Sequence, residues 1–161
     1  DNGDVEYIYF NPKDRTFIRR IMDFEKSIGE RIKKIDVEKY KSKIEDGIDL
    51  NIDFTDITAV EKLTDEQVQS LKNKMNTVLD IDEEFQKSVK EELNEIFESD
   101  ISSVVFKYCE PLDDVFITDE KGEPTTEVYL LLFLQEFQKE LRQYQSKITP
   151  AMQKHIGKYA K

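Results

Sequence analysis

The residue types that carry catalysis are scarce in this chain and stand apart from one another. Its one histidine, His155, sits among lysines, and its one cysteine, Cys109, adjoins Glu110. A nucleophilic mechanism needs a nucleophile, a base within hydrogen-bond reach and a third group to orient the base. Nothing near His155 supplies that set, so it reads as a solvated surface residue. A neighbouring carboxylate raises a thiol's pKa, the wrong direction for a thiolate nucleophile, so Cys109 reads as a small, partly buried apolar residue. A single cysteine also excludes an intramolecular disulfide and a thiolate zinc cluster. Neither a Gly-rich phosphate loop nor an H-E-x-x-H pattern is present. The nearest approach to a metal site is Asp49-x-Asn51-x-Asp53-x-Thr55, which copies the opening of a calcium loop. Its sixth position is Phe54 where the sharp turn demands Gly, and its twelfth is Val60 where a bidentate Glu closes the site; Glu61 comes one residue late. No catalytic residue, metal ligand or cofactor is therefore expected.

Charge narrows the partners. The chain of 161 residues has 35 acidic and 24 basic residues, a formal net charge of -11. Phosphate backbones need a positive surface, so nucleic acid is excluded as the main partner. The acidic residues concentrate at Asp80, Asp82, Glu83, Glu84, Glu91, Glu92, Glu95, Glu98 and Asp100. That run is either a solvated helix face, with Glu83 and Lys87 as an i,i+4 pair, or a docking face for a basic partner. The C-terminal end is the reverse, with Lys139, Arg142, Lys147, Lys154, Lys158 and Lys161 against Glu140. It serves as a solubilising helix end, or it complements an acidic partner, including the acidic run of a second copy.

These side chains must be placed by helices. Only 5 Gly and 4 Pro leave little material for the turns of an all-β fold. The densest apolar stretch is EVYLLLFLQEFQKELRQYQSKI, residues 127–148, in which Leu130, Phe133, Leu134, Phe137, Leu141, Tyr144 and Ile148 recur at spacings of three and four. That is an amphipathic helix, with Thr125 or Thr126 as its N-cap. Its unbroken apolar run of five residues falls far short of the about 20 a bilayer span needs, so no membrane is involved. Thr149-Pro150 either kinks this helix or starts a last short one.

A first helix opens at Asn11-Pro12, with Asn11 as N-cap and Asp14 in the first turn, and runs on toward Gly47. Its stripe, Phe17, Ile21, Phe24, Ile28, Ile32 and Ile35, keeps nearly a seven-residue rhythm with charged flanks. It either packs into the protein's own core or forms a partner-binding face for another protein's long helix; these six residues are the candidate partner site. Thr64-x-x-Gln67 is a capping box opening the next helix, striped by Val68, Leu71, Met75 and Val78, and after a phase shift near residue 80 by Phe85, Val89, Leu93, Ile96 and Phe97. The pattern fits one bent helix or two that meet. Ser99 or Asp100 can cap a short helix over 101–106. Short strands are expected near 5–10, 48–54 and 115–118, the last running into a turn at Asp119–Gly122. The fold class is thus mainly α, a helical bundle with a minor β component, in one domain over 1–161 with a frayed N-terminus and a basic C-terminal tail.

Several of these segments together resemble the small tail assembly chaperones of long-tailed phages and prophages of Gram-positive bacteria. The resemblance rests on Phe10-Asn11-Pro12 with Asp14 and Phe17, and on the run from Ile81-Asp82 to Ile96-Phe97. It continues through Ser99-Asp100-Ile101-Ser102 with Val105-Phe106, the apolar helix over 129–137, and the ending His155-Ile156-Gly157-Lys158-Tyr159. It touches about two thirds of the chain, and residues 40–64 have no counterpart. Such proteins often carry Gly after the Ile-Phe helix ending, where Glu98-Ser99 stands here. The resemblance implies a non-enzymatic protein of the host bacterial cytoplasm that coats and solubilises the tape measure protein and helps recruit tail tube subunits. It also implies that a translational frameshift can yield a longer form. Two other classes remain on the residues alone: a helical regulator or inhibitor of one defined partner, and a divalent-metal enzyme built on the Asp/Glu run.

Overall fold

The computed structural model describes residues 5–44 and 61–159, with side chains over 5–41 and 61–147. The protein is mainly helical with a small antiparallel sheet. In chain order the elements are α1 (Arg15–Ile44), α2 (Asp65–Phe97), α3 (Ser102–Val105), β1 (Asp114–Thr118), β2 (Pro124–Val128) and α4 (Tyr129–Tyr159). The chain divides into two compact units, Asp1–Lys26 with Val89–Lys161 and Ser27–Ser88. The physical reason lies in helix length. With 30 and 33 residues, α1 and α2 are about 45 and 50 Å long, more than one small core can cover.

Helix α1 starts three residues later than Asn11 and Pro12 suggest. The Asn11 side chain accepts a hydrogen bond from Lys13 N (3.0 Å) and turns the chain, while Asp14 caps the helix by accepting from Thr16 N (2.8 Å) and Phe17 N (3.3 Å). Helix α2 opens on the capping box as read: Gln67 N donates to Thr64 Oγ1 (3.2 Å) and Thr64 N to Gln67 Oε1 (2.9 Å). It runs unbroken through residue 80 to Phe97, so the phase shift marks no break. It ends in a Schellman motif, with Ser99 N bonding Asn94 O (3.2 Å) and Glu98 N bonding Glu95 O (3.4 Å). That motif places Glu98 in the left-handed region at φ 54°, a conformation glycine adopts freely and a glutamate does not.

The expected strand at 115–118 forms within β1, which pairs with β2 in register from Asp114 opposite Val128 to Thr118 opposite Pro124. Asp119 closes the turn, its carboxylate accepting from Lys121 N and Glu123 N (both 2.8 Å), and Gly122 takes φ +82°. Thr125 and Thr126 lie in this ladder opposite Ile117 and Phe116, and so do not cap α4. The first helical amides instead donate to carbonyls of the segment just before β1, Tyr129 N to Asp113 O (2.8 Å) and Leu130 N to Pro111 O (3.0 Å). Pro150 stands inside α4, which continues through it to Tyr159. No strand forms over 5–10. Its aromatic and β-branched residues fit a half-buried sheet surface, but among the described residues no strand pairs with it. The expected strand at 48–54 lies outside the described residues.

In the unit of Asp1–Lys26 with Val89–Lys161, the core is built by Phe17, Ile21 and Phe24 of α1, Val89, Leu93, Ile96 and Phe97 of α2, and Ile101, Val105 and Phe106 around α3. Leu130, Leu134, Phe137 and Leu141 of α4 complete it, and all are buried. At its centre the rings of Phe10, Phe17, Phe97 and Phe137 meet edge-on or stacked, with centroids 4.9–6.2 Å apart. Such pairs add about 0.5–1.5 kcal/mol each beyond area burial. In the unit Ser27–Ser88, Ile28, Ile35, Leu71 and Phe85 are buried. The Arg31 guanidinium lies 5.6 Å from the Phe85 ring centre and donates to Ser88 Oγ (3.4 Å), and Lys39 pairs with Asp82.

Candidate partner-binding surface

The six stripe residues point inward. Phe17, Ile21, Phe24, Ile28 and Ile35 are each less than a tenth exposed, and Ile32 is half-buried. Their seven-residue rhythm therefore serves the protein's own packing, and a partner could reach them only by displacing that core. Periodicity identifies an apolar face but is silent on whose side chains cover it.

What the fold leaves open is a pocket of about 410 Å³ between the segment 9–11, the start of α1 and the end of α2, lined among others by Tyr9, Phe10, Phe17, Arg20, Phe97 and Glu98. Its volume falls in the range of ordinary ligand and anchor-residue sites. Edges of the central aromatic cluster form its apolar wall. Arg20 and Glu98 face each other loosely across the rim at 3.9 Å, both side chains more than half exposed. Tyr9 is 82% exposed and Tyr7 70%, and their ring centroids lie 6.4 Å apart. This tyrosine segment is tied down by Lys107, whose ammonium bonds Glu6 Oε1 at 2.7 Å; that bond is the chief cause of the raised Lys107 pKa.

Behind the pocket, a polar knot fixes the angle between α2 and α3. Asn94 Nδ2 donates to Asp100 Oδ1 (3.2 Å) and Ser102 Oγ (3.0 Å), and Asn94 Oδ1 accepts from Ser102 N (2.8 Å). Asp100 also accepts from Ser103 N (3.4 Å) and Ser102 Oγ (3.2 Å). Hydrogen bonds from Ser103, then from Ser102 and Asn94, hold the Asp100 carboxyl below the usual aspartate range. Tyr129 Oη donates to Val105 O (2.9 Å), closing α4 onto α3, and burial raises the pKa of that phenol.

The reactive candidates do not converge. Cys109 is half-buried and unpaired by any disulfide. Along α2, Asp80, Glu83, Glu84, Glu91 and Glu95 are exposed. Among the described residues no group of three His, Cys, Asp or Glu side chains is placed to hold a metal ion, and no helix is long and apolar enough to cross a membrane. Residues 49–55 and the side chain of His155 lie outside the described residues. Sequence reasoning missed the pocket because its walls come from three separate segments; the one local signal was Phe10-Asn11-Pro12, read as a helix start. No protein-family model, curated protein or solved structure matches the chain.

Proposed function

We propose that this chain is a non-catalytic, helix-binding chaperone of the phage tail assembly type, which coats a tape measure protein, keeps it soluble, and helps bring tail tube subunits to it in the bacterial cytoplasm. One observation carries the reading. Except for Ile81–Ser88, the residues that bear the resemblance fall in a single unit. Phe10, Asn11, Asp14, Phe17, Ile96 and Phe97 all line the one pocket, and Asp100, Ser102 and Val105 bond the joints behind it. Two separate parts of the pattern, Phe10–Phe17 and Ile96-Phe97, thus meet at one surface suited to an apolar anchor side chain, flanked by exposed tyrosines of the kind enriched at protein interfaces. Recognition here needs weak, repeated contacts, since tube subunits must displace the coat, and many copies along one long partner supply the avidity.

The test is co-expression with a long helical segment of a phage tape measure protein, reading the soluble fraction and the stoichiometry by quantitative mass spectrometry. Several copies of this chain per segment, with the segment kept soluble, is the expected result. Tyr9→Asp, at a position too exposed to disturb folding, should release it. A segment that precipitates regardless of this chain overturns the reading. Stoichiometric capture of one small partner instead would place the protein among regulators and inhibitors.

A further inference from the structure

We infer that the outward face of α1 over Arg15 to Lys26 is a second docking site, and that its occupant is an acidic amphipathic helix of a partner protein. The site is a shallow apolar groove of about 260 Å³ lined by Arg15, Ile18, Arg19, Met22, Asp23 and Lys26. Ile18 and Met22, one helical turn apart, form its floor, and Met22 is 44% exposed. Arg15, Arg19 and Lys26 are exposed and form no ion pair among the described residues. Three cations against Asp23 alone make this face positive in a chain that carries 35 acidic and 24 basic residues.

Charge selects the occupant's chemistry and spacing selects its shape. The cations lie along one flank of the apolar pair and beyond its two ends, and they complement carboxylates set along one flank of an apolar ridge. The i,i+4 spacing of Ile18 and Met22 along a helix matches the i,i+4 ridge of a second helix laid against it, the usual geometry of helix-in-groove recognition. Three cations spread over about 16 Å of helix are too few to track a phosphate backbone, and the strongly negative chain repels one. Two apolar side chains give little to bury in a bilayer. The face is separate from the tyrosine-flanked pocket, so the inference stands independently of the chaperone reading.

The experiment is fluorescence anisotropy of the intact protein with a labelled 18-residue helical peptide bearing Leu at i,i+4 flanked by Glu. The comparison probes are the same peptide with Lys for Glu, and vesicles of anionic phospholipid. The Glu-flanked peptide should bind at least about tenfold more tightly than the Lys-flanked one, with affinity falling as salt rises. Arg15→Glu with Arg19→Glu should reverse that preference, and Met22→Asp should abolish binding, while circular dichroism stays unchanged. Tyr9→Asp should leave binding intact. Equal binding of both peptides, an Arg15/Arg19 double variant that still prefers the Glu-flanked peptide, or binding to vesicles alone would each overturn the assignment.

Discussion

Replacing Glu98 with glycine probes the joint where α2 ends, because Glu98 holds φ 54° to complete the Schellman turn. Placing an L-residue in that region costs about 1–2 kcal/mol, which glycine does not incur. Glycine's greater freedom in the unfolded chain returns about 0.5–1 kcal/mol of that gain. The lost ion pair is small: at 3.9 Å, with the Glu98 side chain 83% exposed, it belongs at the bottom of the surface-pair range of about 0–1 kcal/mol. The net expectation is a gain of about 0.5–1 kcal/mol, or a melting temperature about 1–4 °C higher for a chain of this size. Differential scanning calorimetry reads the shift, and a urea titration with unchanged m-value confirms that stability has moved and not the unfolded state. Glu98→Ala is the control, since it deletes the ion pair but keeps the Cβ and its strain, and should melt at or slightly below the parent. If Glu98→Gly melts no higher than Glu98→Ala, the left-handed turn does not carry the stated cost and the reasoning fails.

Asn94→Ala should destabilise by about 1–3 kcal/mol, because Ser102 N and Asp100 lose a part-buried partner; a urea midpoint loss under about 0.5 kcal/mol would show that water replaces the side chain. Carboxyl carbon NMR should show Asp100 titrating below ordinary aspartates and Glu25 above ordinary glutamates, burial raising Glu25 against an opposing pull from Arg142. The signs differ. The Asp100 contribution is complete above its unfolded pKa and is lost as pH falls through the lowered folded value. The fold favours protonated Glu25, so stability falls as pH rises through the window just above the usual glutamate range. In Asn94→Ala, Asp100 should titrate slightly higher than in the parent; an unmoved Asp100 would mean that Ser103 and Ser102 alone hold its pKa down.

Local signals were legible wherever a motif contained its own partners. The Thr64–Gln67 box needs nothing beyond four residues, and it forms as read. Asp119 with Gly122 likewise writes its own turn. Signals that depend on distant chain were ambiguous. Thr125-Thr126-Glu127 is as good a helix cap as it is a strand, and pairing with Asp114–Thr118 decides for the strand. The segment 5–10 has strand composition but finds no ladder to join. The stripe from Phe17 to Ile35 announces an apolar face without saying that this chain covers it. The charged flanks of α1 are plain in the sequence, but only the burial around them isolates Ile18 and Met22 as the apolar pair beside Arg15, Arg19 and Lys26.

The junction of β2 and α4 has a further consequence. Val128 ends the ladder and Tyr129 begins the helix with no residue between them, so the hairpin acts as an index that sets the helix's rotational phase. Each residue gained or lost within β2 would turn every following side chain of α4 by about 100°, carrying Leu130, Leu134, Phe137 and Leu141 away from the core together. The same insertion placed between Asp119 and Gly122 meets no such gearing, since the turn lies at the far end of the ladder and its length is invisible to the helix. Length variation in this protein is therefore tolerable at the hairpin tip and forbidden at its base.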